Sequence, residues 1–241
     1  ERADVSFDYA GLNHLGWLRS LSVGGHDILP RLFADEAALG SMEESRAIGT
    51  DWIRALGALP NEYLFYYYCH REAMARIHRD QTRGEYLRDQ QEAFYNAVLS
   101  HHEQAGRTWI DAFADREATY MAEARDVDER SGRRAEDIAG GGYQKVALDL
   151  MNALATNTPA RMILNVGNGD GGFSSIPTLL DTDVIEVPCD VDASGVHPIP
   201  VAPLSGAALG LVQSVKACEN LVIDAARERD RSLAWQALAL H

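Results

Sequence analysis

Near its start the chain reads Ala10-Gly11-Leu12-Asn13-His14-Leu15-Gly16-Trp17. Strict alternation along a strand would place His14 on one face of a sheet with Leu12 and Gly16, and the residues between them on the other. A histidine in this apolar frame has two interpretations. It is either a core imidazole with its hydrogen bonds satisfied, or a neutral imidazole that binds a metal. Spacing alone favours the core histidine.

The same residues carry a resemblance to a known family. Gly11-Leu12-Asn13-His14 followed by Trp17 resembles the GLNH-x-x-W motif of glycoside hydrolase family 4. These are NAD- and manganese-dependent glycosidases, among them the 6-phospho-β-glucosidases. The histidine of that motif is a metal ligand in the family. The resemblance therefore implies that His14 binds the metal and that the neighbouring Asn13 contacts the substrate.

Composition describes an ordinary globular protein of 241 residues, 46% of them hydrophobic and 24% charged. The net charge of −14 excludes nucleic-acid and anionic-membrane binding, which need clustered Lys and Arg. No apolar run reaches the roughly 18 residues of a membrane span, and no signal peptide is recognisable. The three cysteines form no C-x-x-C motif, which predicts a reducing, cytoplasmic setting.

A glycine-rich segment precedes a predicted helix in the second half of the chain. Gly140-Gly141-Gly142-Tyr143 leads into a helix predicted over Val146 to Leu154. Such glycines form either a flexible hinge or a turn that brings a helix N-terminus close to whatever Tyr143 faces. In family 4 a glycine-rich turn ending in tyrosine supplies the catalytic base, so the resemblance implies that role for Tyr143. Gln144 stands where the family usually has serine, and no arginine precedes the glycines.

A second glycine-rich segment follows a β-like run and spells G-x-G-x-x-G over Gly167-Asn168-Gly169-Asp170-Gly171-Gly172. A dinucleotide fingerprint requires a helix straight after its glycines, whereas Phe173-Ser174-Ser175-Ile176-Pro177 follows here. We therefore reject a dinucleotide site. The family has an x-Asn-Asn-Gly turn here that lines its active site, which implies that Asn168 contacts the substrate. Gly169 replaces the second asparagine, and Gly167 stands where phospho-β-glucosidases often have arginine.

Two further segments resemble the family without carrying chemistry. The aromatic run Pro60 to Tyr68 is predicted to be core or interface. Val184-Ile185-Glu186-Val187-Pro188-Cys189 is predicted to form a hairpin with residues 195–200. Within it, Cys189 is predicted to be a buried structural thiol.

The resemblance covers most of the chain, but it matches only the C-terminal part of family 4. No N-terminal βαβ unit with a usable glycine fingerprint is present, and the family's cysteine-asparagine motif, which gives the second metal ligand, is absent. The resemblance therefore implies that residues 1–241 form a single C-terminal substrate and metal domain. This domain would need its own N-terminal Rossmann domain as a partner.

The chemistry implied for the complete enzyme differs from the usual pair of carboxylates. NAD would oxidise the sugar at C3, which makes the C2 proton acidic. Mn²⁺ held partly by His14 would stabilise the developing charge, and Tyr143 would take the proton. The C1–O bond would break by elimination, and water would then add. The substrate would be a phosphorylated disaccharide or glycoside, and the predicted activity is that of a 6-phospho-β-glucosidase. This domain alone is predicted to be inactive.

For the architecture we predict an α+β fold, helix-rich, with a small and mostly antiparallel sheet near residues 12–23, 161–167 and 184–200. It would resemble the C-terminal domain of lactate and malate dehydrogenases, with His14, Tyr143 and Asn168 converging on the sheet side. We also expect a homo-oligomer. The alternatives are a non-catalytic oligomerisation domain or another family 4 specificity (α-glucosidase or α-galactosidase). A 2-hydroxyacid dehydrogenase domain is disfavoured because its carboxylate-binding arginines find no counterpart.

Overall fold

The computed structural model describes residues 4–79, 81–124 and 142–240. The chain forms two compact units. The sheet unit contains residues 4–31, 57–61 and 146–240, and the helical unit contains residues 32–56, 62–79, 81–124 and 142–145. The predicted glycines Gly140 and Gly141 lie outside the described residues.

The sheet unit is built on one antiparallel sheet. Its strands are β1 (Val5–Leu12), β2 (Leu15–Val23), β3 (His26–Asp27), β4 (Leu59–Pro60), β5 (Ala160–Gly167), β6 (Val184–Asp192) and β7 (Gly195–Pro198). The strand order is β3-β2-β1-β6-β5, with β4 paired to β2 and β7 paired to β6. Every pairing recorded among these strands is antiparallel.

One face of this sheet forms the core of the unit. Residues that alternate along β1, β2 and β6 are at most 4% exposed; they are Ala10, Leu12, Leu15, Trp17, Ile185, Val187, Cys189 and Val191. The opposite positions on β1 and β2 include Gly11 and Gly16, which pair with each other. The period of two therefore separates a hydrophobic face from a face with two glycines at its centre.

The alternation predicted across residues 12–16 is wrong, and the reason is a tight turn. Leu12 pairs directly with Leu15, so Asn13 and His14 form a two-residue hairpin turn rather than part of a strand. Directly opposed residues of a hairpin face the same side of the sheet, which is why both leucines are buried. His14 has φ 61°, a left-handed conformation that histidine adopts more readily than most non-glycine residues.

Helices make up most of the remaining described chain. They are α1 (Leu29–Ala34), α2 (Glu36–Ser41), α3 (Glu43–Ile48), α4 (Thr50–Leu56), α5 (Phe65–Tyr68), α6 (His70–Arg79), α7 (Arg83–Ser100), α8 (Ala105–Ala118), α9 (Gly142–Thr156), α10 (Gly206–Glu228) and α11 (Arg231–Leu240). The predicted helix-rich α+β fold with an antiparallel sheet is confirmed. No helix of the described chain is long and apolar enough to cross a membrane.

Helix boundaries follow local signals. Gly49 has φ 102° and separates α3 from α4. Thr82 and Glu85 form a reciprocal capping box at the start of α7, in which each side chain accepts from the other residue's backbone N–H. In the sheet unit α10 packs along α11, with Val212 and Ala237 buried.

Candidate functional site

The hairpin turn carries two of the predicted site residues. Asn13 is exposed and His14 is half-buried. The turn is anchored by the strands on both sides, because Leu12 and Leu15 are in the core. His14 is therefore a turn residue on a rigid base, and the structure does not place it in the core as spacing alone had favoured.

Close packing of the backbone explains the glycines beside the turn. A Cβ added to Gly11 would lie 2.2 Å from the carbonyl oxygen of Leu15 and 2.3 Å from the Cα of Gly16. A Cβ added to Gly16 would lie 2.2 Å from the hydroxyl oxygen of Tyr9. Neither position has room for a side chain, so both glycines are required by the local geometry.

A tyrosine and a glutamate meet over these glycines. The hydroxyl of Tyr9 donates a hydrogen bond to Oε2 of Glu186 at 2.7 Å. Glu186 pairs with Gly11 between β1 and β6, and Tyr9 is only 8% exposed. The two residues are 177 positions apart in the chain, so their spacing does not mark them as partners.

The described part of the chain does not contain a complete metal site. It contains no group of three or more His, Cys, Asp or Glu side chains that could hold a metal ion. An imidazole is a normal ligand for divalent transition metals, and His14 on a fixed turn suits one position of a shared site. The residues present therefore fit Mn²⁺ only if other groups complete the coordination.

Asn168 lies at the start of the loop between β5 and β6 and is 1% exposed. Its Oδ1 accepts from the backbone N–H of Ile176 at 2.8 Å. Its Nδ2 lies 2.8 Å from the Ser174 hydroxyl and 3.1–3.4 Å from the carbonyl oxygens of Ile176, Leu179 and Leu180. The amide is thus occupied within its own loop, and this geometry favours positioning of the loop over direct substrate contact.

The far end of the same loop is also fixed. Asp183 is 5% exposed and accepts from the backbone N–H of Leu180 at 2.9 Å. Its other oxygen accepts from the Asn220 amide on α10, also at 2.9 Å. Neither residue could be found from the sequence, because nothing in their spacing marks them as partners.

The sheet register places the hairpin turn and this loop at the same end of the sheet. Gly11 pairs with Glu186, and Glu186 pairs with Asn165. Two residues closer to the hairpin turn, Gly167 pairs with Val184. The loop begins after Gly167 and ends before Val184. Strands lie about 4.8 Å apart, so about 10 Å separates β1 from β5. Within the sheet unit, the structure thus brings the His14 turn and the Asn168 loop together.

Tyr143 lies in the first turn of α9, where it belongs to the helical unit and is 76% exposed. The same unit contains a half-buried tyrosine pair. Tyr120 donates a hydrogen bond to the Tyr63 hydroxyl, and their rings meet edge to face at 6.2 Å. Burial, the bond to Tyr63 and the nearby Glu62 and Tyr143 raise the pKa of Tyr120. Convergence of Tyr143 with His14 and Asn168 stays a prediction.

The helical unit also has a cavity of about 390 Å³, a volume typical of small-molecule pockets. Its lining includes Tyr66, Tyr86 and Arg83. Arg83 donates to Oγ1 and the carbonyl of Thr119 and to the carbonyl of Arg116, so it caps the end of α8. The sequence analysis predicted no site here.

Two alternative sites are excluded by geometry. The G-x-G-x-x-G segment is followed by turns and bends up to β6, with no helix, so the rejection of a dinucleotide fingerprint is confirmed. Ser194, His197 and Asp192 cluster at the β6–β7 turn, with the Ser194 hydroxyl 2.8 Å from Nε2 of His197. Asp192 approaches that same nitrogen, whereas a hydrolytic triad needs the carboxylate on Nδ1.

Cys189 is buried as predicted, at 0% exposure. Burial is the main cause that raises the pKa of its thiol to about 11, which keeps it protonated at neutral pH. A protonated buried thiol is a poor nucleophile and a poor metal ligand. Cys189 is therefore a core residue.

The antiparallel sheet and the GLNH turn match one known family of domains. The family model for the family 4 glycosyl hydrolase C-terminal domain matches residues 9–241, and the chain belongs to this family. A maltose-6'-phosphate glucosidase of Bacillus subtilis is 27% identical over 99% of this chain and 50% of its own length. A 6-phospho-beta-glucosidase of Thermotoga maritima is 26% identical, with the same coverage.

Solved structures show the same fold. The Thermotoga maritima 6-phospho-beta glucosidase with manganese, NAD+ and glucose-6-phosphate superposes with a TM-score of 0.68 at 24% identity. A 6-phospho-alpha-glucosidase from gut microorganisms with NAD and Mn2+ gives a TM-score of 0.65 at 22% identity. These matches cover 98–99% of this chain and 49–51% of the other chains. The chain thus spans about half the length of the relatives that it matches.

Proposed function

We propose that this chain is the C-terminal substrate and metal domain of a phospho-glucosidase that hydrolyses O-glycosyl bonds of phosphorylated glucosides. The observation that carries the proposal is the GLNH turn, with His14 held half-buried on a hairpin within a chain that matches family 4 over residues 9–241. An N-terminal NAD-binding half would complete the site. A cytoplasmic location fits enzymes that act on phosphorylated sugars.

His14 is the metal ligand in this proposal. When bound, Mn²⁺ supplies a Lewis acid and NAD supplies the hydride acceptor for oxidation of the sugar at C3. The turn presents the imidazole from a rigid base, which limits the rearrangement needed on binding. The exposed Asn13 next to it is placed to hydrogen-bond a sugar hydroxyl.

Tyr143 is the catalytic base in this proposal. As a phenolate, its oxygen takes the C2 proton of the oxidised sugar, and the C1–O bond then breaks by elimination as the aglycone leaves. Water adds, and the hydride returns to C3, so that the net reaction is hydrolysis. An exposed position in the first turn of α9 supports this role, because the base must reach the substrate. Asn168 supports the site by holding the β5–β6 loop in place.

We infer a 6-phospho-β-glucoside as the substrate, with a 6-phospho-α-glucoside as the alternative. The relatives include enzymes of both kinds, a 6-phospho-alpha-glucosidase of Leptotrichia buccalis among them. Gly167 stands beside Asn168 where an arginine would recognise a phosphate, so that contact must come from elsewhere.

A second candidate is an oligomerisation domain without catalysis. Large apolar side chains on α7 and α8 are exposed, including Tyr95, Leu99, Trp109 and Ile110, and no residue of either helix is buried. Surfaces of this kind mark interfaces. The catalytic proposal also expects a homo-oligomer, so activity distinguishes the two candidates.

The deciding experiment compares the α and β anomers of p-nitrophenyl 6-phosphoglucoside with a full-length enzyme, in the presence of NAD and Mn²⁺. We expect NAD-dependent turnover of the β anomer. Tyr143→Phe should lower kcat by about a hundredfold or more and abolish exchange of the C2 hydrogen with solvent. Tyr95→Phe, also an exposed helical tyrosine, serves as the matched control. Near-normal turnover and exchange in Tyr143→Phe would show that the base is another residue.

A further inference from the structure

Among the described strands, β1 and β6 are joined by the fewest residue pairs. The register between β1 and β2 has eight residue pairs, as does that between β5 and β6, but between β1 and β6 it has the single pair Gly11–Glu186. The hairpin with the His14 turn and the hairpin with the Asn168 loop therefore meet along one short contact. Few backbone hydrogen bonds fix their relative position.

A side-chain hydrogen bond also connects β1 to β6. Tyr9 on β1 donates to Oε2 of Glu186 on β6 at 2.7 Å. The Tyr9 hydroxyl is also packed against Gly16, whose added Cβ would lie 2.2 Å from it. Gly16 is one residue pair from the turn, since Leu12 pairs with Leu15. The tyrosine thus contacts the hairpin of His14 and the strand that leads from the Asn168 loop.

We propose that Tyr9 and Glu186 form a positioning pair that sets the His14 turn against the Asn168 loop and so orients the metal-binding imidazole. This inference rests on the proposed function. Glu186 acts through Tyr9 as a hydrogen-bond acceptor and does not itself bind the metal or react. Its place is set by the sheet register, since it pairs with Gly11 on one side and Asn165 on the other.

Substitution of Glu186 by glutamine distinguishes a positioning role of this residue from a direct chemical role of its carboxylate. Glu186→Gln keeps an acceptor oxygen in place for the Tyr9 hydroxyl but removes the charge. Glu186→Met keeps the length and removes the acceptor, and Tyr9→Phe removes the donor. The matched control is Arg161→Gln, because Arg161 and Asp190 form a bidentate bond at 2.8 and 2.9 Å, also to β6 but across the well-paired β5–β6 register.

The first measurement is the Kd for Mn²⁺ alone, from electron paramagnetic resonance of the free ion with the full-length enzyme. We expect Tyr9→Phe and Glu186→Met to raise this Kd by about tenfold or more, as loss of supporting hydrogen bonds does at other metal sites. Under saturating Mn²⁺ we expect kcat to fall more than KM changes. Glu186→Gln and Arg161→Gln should stay within about threefold of wild type. If Glu186→Gln is as impaired as Glu186→Met, the carboxylate acts directly and the positioning role is wrong.

A second measurement does not depend on the proposed function. Amide hydrogen exchange at Asn13, His14 and Leu15 reports opening of the turn itself. We expect exchange there to be about tenfold faster in Tyr9→Phe than in Arg161→Gln, in proportion to the lost hydrogen bond. Equal exchange in the two variants overturns the inference. Wild-type enzyme that binds no Mn²⁺ would instead overturn the proposed function and leave this test standing.

Discussion

At the scale of single residues, Asn168 shows how one amide can organise a long loop. Its oxygen accepts from the N–H of Ile176, and its nitrogen is within hydrogen-bond distance of three backbone carbonyls and a hydroxyl. The amide is 1% exposed, so water cannot take its place as the hydrogen-bond partner of these groups. Removing it leaves several backbone groups buried without partners.

We therefore expect Asn168→Ala to lower the free energy of unfolding by about 3 kcal/mol, the cost of one to two unsatisfied buried groups. Urea denaturation followed by circular dichroism measures this change. Asn165→Ala, at an exposed position of β5, should stay within about 0.5 kcal/mol of wild type. Similar unfolding midpoints for the two variants would show that the loop does not depend on Asn168.

The sequence singles out candidate site residues but does not show their environment. The GLNH motif singles out His14, but the hairpin turn depends on the direct pairing of Leu12 with Leu15. The regular alternation across residues 12–16 does not reveal this pairing, because neither of the two turn positions holds glycine or proline. The sequence also does not show that the Asn168 side chain bonds within its own loop. Its partners are backbone carbonyls of residues 176–180, and every residue type has a backbone carbonyl.

At the scale of secondary structure, prediction succeeded where a pattern is local. The helix predicted over Val146 to Leu154 lies within the observed Gly142–Thr156, and the predicted strand over 161–167 is observed as Ala160–Gly167. Glycine gives a less decisive signal: Gly49, which has φ 102°, separates α3 from α4. A glycine inside a helical pattern is compatible with continuation or with a break, and only packing decides between them.

The capping box of α7 makes a prediction about acid stability. Glu85 accepts from the backbone N–H and the hydroxyl of Thr82, and the backbone bond is the main cause that lowers the pKa of this carboxyl. A lowered pKa in the folded state contributes stability above the unfolded-state pKa of about 4.5. That contribution is lost as the pH falls through the lower folded-state value.

We expect Glu85→Gln to be less stable than wild type at pH 7, with a difference that shrinks as the pH falls below about 4.5. Thermal unfolding of both proteins at pH 7, 4.5 and 3.5 measures this difference. Glu92→Gln, also on α7 but outside the capping box, should show no comparable trend. A Glu85→Gln difference independent of pH would mean that the charge does not contribute to the cap.

At the scale of the whole molecule, two properties have opposite effects on self-association. The net charge of −14 disfavours association of identical chains, whereas exposed aromatic groups on α8 favour it. Trp109 and Phe113 stack with ring centroids 5.4 Å apart, and they are 57% and 40% exposed. No residue of this 14-residue helix is buried, so its aromatic rings are open to a partner, and we expect a second copy to cover them.

We therefore expect the Trp109→Lys, Phe113→Lys double variant to shift the full-length protein toward smaller oligomers, measured by analytical ultracentrifugation. Raising the salt concentration should strengthen association of the wild type, because it screens the repulsion between negatively charged copies. Trp235→Lys on α11, where Trp235 is 66% exposed, is the matched control and should leave the distribution unchanged. If the control dissociates the oligomer and the double variant does not, the interface lies on the sheet unit, and α8 must be covered by something other than a second copy.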